Sequence, residues 1–406
     1  MNSAIQIPLY FWLMLIAALV VISARWLRLP YASALVITGL AVGLARVFPH
    51  ARLSPQLLFS VLLPPLLFEA SVNLPWKRLR ENWWPLLLFS VFGTIVSALL
   101  VGGLSAWLLR FTLPVALVFG ALMAPTDPIS VLAVFRRLGV PPRLSLLVEG
   151  ESLFNDGIGV VLFTVFVSAA LAGHWSLPGA ILQFILSIAG GILFGLLTGL
   201  LVTRVSCRLE DHLLDIMLTI LLAYGAFLGA ETLHVSGVVA VITAGLVVGN
   251  IWKPLTTSAS SRQAVDAFWE FAAFVANSVI FLLLGNDVAH LHGFLWFGKA
   301  IMLAIAITLA GRAAAVYGLA PFCNPLKNPL PFSWQHILWW GGLRGALSMA
   351  LVLGLSPQFP SRDLLILLVF SVVFFSLVVQ GLTITPLIRL LKMSVEQTPT
   401  PPADMW

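Results

Sequence analysis

The chain has 406 residues, 60% hydrophobic and 9% charged, with a mean hydropathy of +1.03. Soluble domains carry about 25% charged residues, so a water-soluble globule is excluded, and apolar runs long enough to cross a bilayer recur from residue 7 to residue 391. The net charge of +6 calls for no nucleic-acid partner, because the placement of basic residues in loops accounts for it.

The first apolar run, "PLYFWLMLIAALVVISA", has no basic residue before it and several after it. That order is wrong for a cleavable signal peptide, so the run is a span. The pattern then predicts an all-α polytopic membrane protein of about thirteen spans: 7–24, 31–47, 54–71, 83–109, 113–135, 147–172, 178–203, 212–232, 235–251, 266–286, 296–320, 335–355 and 363–391. Short loops punctuate them at Pro30, Pro75, "VPPR" (140–143) and "NPLKNPLP" (324–331). Of the 22 basic residues, fifteen fall on one side, among them Arg25, Arg28, Lys77, Arg136, Arg137, Lys327 and Lys392. Five fall on the other: Arg46, Arg52, Arg110, Lys299 and Arg362. Basic residues gather on the cytoplasmic side, so the N-terminus is expected outside and the C-terminus inside the inner membrane. The tail 393–406, "MSVEQTPTPPADMW", is polar, rich in proline and too short to fold, and no regulatory domain is expected. Cys207 and Cys323, without CxxC spacing, suggest neither a disulfide framework nor a metal site, and no cofactor is implied.

Six charges fall inside spans: Glu69, Asp127, Glu151, Asp156, Arg312 and Arg344. Each costs about 2.5–3.5 kcal/mol or more at the bilayer centre. In "GESLFNDGIG" (150–159), Ser152 and Asp156 share one helix face, while Glu151 and Asn155 share the next. The first stripe offers a hydroxyl and a carboxylate, oxygens suited to a small hard cation. Gly157 and Gly159 admit a close neighbouring helix. The preceding span holds "ALMAPTDPISVLAVF", where Pro125 and Pro128 disfavour helix at the residues before them. The helix is expected to unwind around Thr126 and Asp127, which is tolerated only where backbone lines a cavity or is buried in protein. "WWGGLRGALSMALVL" predicts a second break, with Gly341, Gly342 and Gly345 around Arg344. The interruptions lie in the fifth and twelfth spans. If spans 1–6 and 8–13 are two inverted repeats, these positions correspond, which points to the binding site of a secondary transporter.

"APTDPISVLAVFRRLGVPPRLSLLVEGESLFNDGIGVVLF" (124–163) resembles the cation/proton antiporter family that includes bacterial sodium/proton antiporters and animal sodium/proton exchangers. "LLPPLLFEAS", "GVVAVITAGLVVGN", "NSVIFLLLGNDV" and "GGLRGALSMAL" match it in order, so the resemblance covers nearly the whole chain. It departs at Phe154, where leucine is usual, and at Gly159, where alanine is common. The resemblance implies that Asp156 takes cation and proton alternately, with oxygens from Ser152, Asp127, the exposed backbone at Thr126, and Glu69. It implies that Asn155 holds the crossing region, and that Glu151 forms a buried ion pair with Arg312, with Arg344 nearby. A carboxylate in a partly dehydrated pocket is harder to ionise and one beside an arginine easier, so Asp156 is expected to titrate while Glu151 stays charged. Members with an Asn–Asp pair are generally electroneutral, so one proton per Na+ or Li+ is expected, with K+ as the alternative ion. The family further implies a homodimer. Helices of about 1–80 and 212–286 would form its scaffold, helices of about 83–172 and 296–391 a moving core, and 178–203 a link between them.

Blander readings stand beside these. Arg344 serves equally to tune the site or to pin the crossing, Glu69 to sit at an interface, and Ser152 to bond its own helix. Asp215, Glu231 and Glu270 lie near span ends, where snorkelling or salt bridges explain them; His174, His234, His290 and His292 lie in or beside outer loops. Among other functions, a channel needs no titratable carboxylate opposite two broken helices. An intramembrane aspartyl protease lacks its GxGD signature here, and an ATP-driven pump lacks GxxxxGK[ST]. A proton-coupled carrier of a larger solute stays open, since pocket width is not written in the sequence.

Overall fold

The computed structural model describes residues 3–27, 29–47, 53–172, 176–208, 211–256, 259–291, 296–323 and 329–393, with no strand among them. Arg28, Arg52, Lys327, His174, His292 and the tail after Met393 lie outside the described residues. In chain order the helices are α1 (Ser3–Leu27), α2 (Tyr31–Leu44), α3 (Pro55–Val72), the short α4 (Trp76–Glu81), α5 (Trp83–Leu108), α6 (Leu113–Leu122), α7 (Ile129–Leu138) and α8 (Pro142–Ala172). There follow α9 (Leu177–Ser206), α10 (His212–Thr232), α11 (Gly237–Leu255), α12 (Ala259–Ala289), α13 (Gly298–Cys323), α14 (Phe332–Trp340), α15 (Ala346–Leu353) and α16 (Arg362–Leu390). Nine helices among the described residues are long and apolar enough to cross a membrane on their own. The expected spans 113–135 and 335–355 are each two shorter helices, α6 with α7 and α14 with α15.

Side-chain caps set several helix starts. The Ser54 hydroxyl accepts from Leu57 N–H, Asp211 from Leu213 and Leu214 N–H, and Ser236 from Val239 N–H. Each satisfies an amide that the first turn leaves without an intrahelical partner. α2 packs along α12 at backbone contact: a Cβ on Gly39 would overlap the Leu282 carbonyl, and one on Gly285 the Val36 carbonyl. α3, α10, α11 and α12 pack on one another, with α9 lying against α11. α5, α6 and α13 form a second set of neighbours, with α16 against α13 and α15. α8 touches α5, α6, α9 and α11, and is buried along most of its length. Gly157 faces Val239 of α11, while a methyl on Gly159 would meet the Pro125 ring, so the small residues of α8 admit neighbours on two sides.

Candidate functional site

Residues 123–128 are not helical, as the two prolines require, and neither are residues 341–345. The two breaks satisfy one another. Asp127 N–H donates to the Leu343 carbonyl at 2.7 Å, and Arg344 Nη1 donates to the carbonyls of Ala124 and Pro125 at 2.7 and 2.8 Å. Each unwound stretch thus supplies partners for backbone groups freed in the other, which keeps irregular backbone tolerable at membrane depth. Arg344 is 2% exposed, and its guanidinium bonds from the second break to the first.

α16 supports the second break. Ser376 Oγ accepts from Arg344 N–H at 2.8 Å and lies 3.1 Å from the Arg344 carbonyl, while Gln380 Nε2 donates to the Trp340 carbonyl at the end of α14. Both side chains sit in a π-helical turn, Ser376–Gln380, and π-turns recur at functional sites. Sequence reasoning missed them; the signal was a serine and a glutamine inside the apolar run "SVVFFSLVVQ".

Across from the first break stands α8. Asn155 Oδ1 accepts from Thr126 N–H at 3.1 Å, and its Nδ2 donates to Thr126 Oγ1 at 2.7 Å. Thr126 Oγ1 is also 2.9 Å from Ser152 Oγ, either hydroxyl donating. Ser152 therefore bonds across to the break. Glu151, 3% exposed, is clasped by both terminal nitrogens of Arg312, which also donates to the Leu338 carbonyl from Nε at 3.2 Å and Nη2 at 2.8 Å. That pair ties α8 and α13 to the end of α14. Gly342 leaves room for it, since a Cβ there would fall 2.7 Å from Arg312 Nε.

Asp127, Ser152, Thr126, Asp156 and Glu69 all line one cavity of about 1150 Å³. Asp127 Oδ1 accepts from Ile129 N–H at 3.0 Å, and Glu69 Oε1 accepts from Asn73 at 3.0 Å. Asp156 is half-buried, and its carboxylate has no hydrogen-bond or ion-pair partner among the described residues. Glu151, Asn155, Arg312 and Arg344 do not line this cavity. Glu149, Tyr31, Glu270 and Asn277 do, and so do exposed Arg136 and Arg137 at the end of α7. Glu149 was legible in principle: 149, 152 and 156 lie on one stripe of α8. Of the other acids, Asp215 takes a hydrogen bond from Ser206, and Glu231 accepts from Gly237 N–H at 3.0 Å.

Two broken helices thus cross beside the unpaired Asp156 carboxylate, and comparison with known proteins gives the family. The sodium/hydrogen exchanger transmembrane family matches residues 13–390. The chain belongs to that family. It is 39% identical over 377 residues to the Na(+)/H(+) antiporter ApNhaP of Aphanothece halophytica, covering 92% of this chain and 72% of that one. It is also 39% identical over 408 residues to the Na(+)/H(+) antiporter NhaG of Bacillus atrophaeus, covering 95% and 75%. The fold is similar to that of the sodium proton antiporter MjNhaP1 from Methanocaldococcus jannaschii, with a TM-score of 0.77 at 20% identity over 96% of this chain and 100% of that one.

Proposed function

We propose that this chain is a secondary antiporter exchanging Na+ or Li+ for H+, one for one, across the inner membrane. The observation that carries the reading is Asp156, an unpaired carboxylate in the cavity lining, with Ser152, Thr126 and Asp127 lining the same cavity. These oxygens suit a hard alkali cation. A carboxylate that holds either a proton or a cation, in a carrier that crosses only when occupied, exchanges the two by competition alone. Asn155 carries no titratable proton, which is consistent with one charge moved each way. K+ is the alternative ion, and the Na(+)/H(+) names of the relatives favour sodium.

The packing supports a division of labour. α1–α3 and α10–α12 are the scaffold and dimer side, α5–α8 and α13–α16 the moving core, and α9 the link. The cavity reaches exposed Arg136 and Arg137, on the basic side that we read as cytoplasmic, so access is inward-facing with the N-terminus outside. Glu69 joins the oxygens near the mouth, while Glu151, Arg312, Asn155 and Arg344 hold the frame.

The test is dequenching of a pH-sensitive dye in proteoliposomes with an acid interior, adding Na+, Li+ and K+ in turn. Na+ and Li+ trials run with valinomycin and balanced K+ to clamp the voltage; the K+ trial omits valinomycin. Cation-dependent dequenching that is unchanged by the clamp is expected. Silence to all three ions in folded protein would shift the reading to a carrier of another proton-coupled solute.

A further inference from the structure

Buried hydroxyls in these helices mostly fold back on a carbonyl one turn earlier. Ser90 donates to Leu86 O at 2.6 Å, Thr308 to Ala304 O at 2.8 Å, and Ser371 to Leu367 O at 2.6 Å. Ser348, with Ser97, Ser130 and Thr203, departs from that habit, and of these four only Ser348 lines the cavity of Asp127 and Asp156. Ser348 is 0% exposed, and its Oγ has no hydrogen-bond partner among the described residues.

The reason is the second break. α15 begins at Ala346, so the residue that would supply the acceptor, Arg344, lies in the unwound stretch, and the Ser376 hydroxyl reaches its carbonyl at 3.1 Å. Ser348 is instead one of the residues that line the cavity holding Asp127, Ser152 and Asp156. Three residues earlier in the chain, Gly345 stands against Asp127, so closely that a Cβ there would run into the carboxylate. An unpaired buried hydroxyl is destabilising unless something that it faces takes up its lone pairs. A hard alkali cation does so, with neutral hydroxyl oxygens serving beside carboxylates.

We propose that Ser348 Oγ is a ligand of the transported cation. This rests on the antiport reading above and adds to it a donor from the second broken helix. The first break supplies Thr126 and Asp127, α8 supplies Ser152 and Asp156, and α15 supplies Ser348. Binding the ion then ties both breaks to one centre, and the hydroxyl contributes to the choice of a hard cation.

The test uses the full chain with Ser348→Ala, Ser348→Thr and Ser348→Cys, reconstituted for dye dequenching and purified in detergent for calorimetric binding of Li+, Na+ and Tl+. Ser348→Ala is expected to raise the half-saturating Na+ and Li+ concentrations about three- to tenfold, the loss of one polar contact. Its maximal rate and melting temperature stay near wild type. Ser348→Thr restores the hydroxyl and the affinity. Ser348→Cys behaves like alanine toward Na+ and Li+ but keeps Tl+, because a sulfur ligand favours a soft cation.

Wild-type transport with unchanged half-saturation in Ser348→Ala overturns this proposal and leaves antiport standing. Joint loss of rate and melting temperature in both the alanine and threonine variants assigns Ser348 to packing and overturns it as well. A folded wild type that neither binds nor responds to Na+ or Li+ overturns the antiport reading, and this one with it.

Discussion

Glu151 and Asp156 are five residues apart on α8, yet they meet opposite surroundings. Five residues turn an α-helix through about 140°, which carries the second carboxylate onto a different face. Glu151 looks toward α13 and finds a guanidinium that also grips the end of α14. Asp156 lines the cavity, and no basic side chain among the described residues pairs with its carboxylate, although Arg136 and Arg137 line the same cavity. A carboxylate with a built-in counter-charge is a fixed part of the frame. One without it must take its compensating charge from solution, as a proton or a metal ion, and so can exchange them. On the proposed reading, the same chemical group serves as a rivet at one place and a binding site at the other, according to what the facing helix offers.

Removing the charge at Asp156 breaks the comparison most completely. Asp156→Asn keeps the shape and deletes the exchangeable charge, and dye dequenching is expected to fall to the level of empty liposomes for Na+, Li+ and K+ alike. Full activity in that variant would take Asp156 out of the mechanism. On the other side of the helix the effect is structural. Arg312→Ala strands Glu151 in the interior, and breaking a buried pair by removing one partner costs about 3–5 kcal/mol. A lower melting temperature in detergent and a lower yield of folded protein are expected. The double variant Glu151→Leu with Arg312→Met should recover much of that stability, because it removes both charges together. A single variant as stable as wild type would mean that the clasp does not hold the frame.

The sequence made some of this contrast legible. Charges inside apolar spans stand out, and prolines at 125 and 128 with glycines at 341, 342 and 345 announce two breaks. The expected span bounds run close to the helix ends because length and apolarity are local properties, although only nine helices among the described residues are long and apolar enough to span alone. Asp156 and Glu151 separate by the stripe that each occupies, which helical periodicity gives directly. What stayed hidden depends on partners distant in the chain. Arg344 reaches carbonyls 219 and 220 residues away, a pairing that no local pattern announces. Ser376 and Gln380 look like isolated polar residues until α16 is laid beside the second break. Glu149 shares the Asp156 stripe but lies two turns before it, and only the folded cavity sets the two on one wall.

The cavity side of the comparison can be sharpened by crowding Asp127 without changing any charge. In Gly345→Ala the new methyl meets the Asp127 carboxylate and its Cβ, so the side chain must move. A displaced ligand near a binding centre is costly even when nothing is deleted. Half-saturating Na+ is expected to rise roughly tenfold with the Glu151–Arg312 side untouched, and the melting temperature to fall, because the overlap reaches the backbone-fixed Asp127 Cβ. An unaltered half-saturation would separate Asp127 from the ion.

The smallest effect is expected at Ser152, which sits between the two acids and belongs to the stripe of Asp156. Its hydroxyl meets Thr126 Oγ1, but Thr126 stays anchored by two bonds to Asn155 when that hydroxyl is removed. Ser152→Ala therefore leaves the first break in place and deletes one neutral oxygen near the cavity. A neutral hydrogen-bonding contact is worth about 0.5–1.5 kcal/mol net, which corresponds to roughly two- to tenfold in half-saturating Na+. Maximal rate should hold, since Asp156 is unchanged. A drop in rate with no change in half-saturation would place Ser152 with Glu151, among the groups that hold the helices, and would move the boundary between frame and site to within one turn of Asp156.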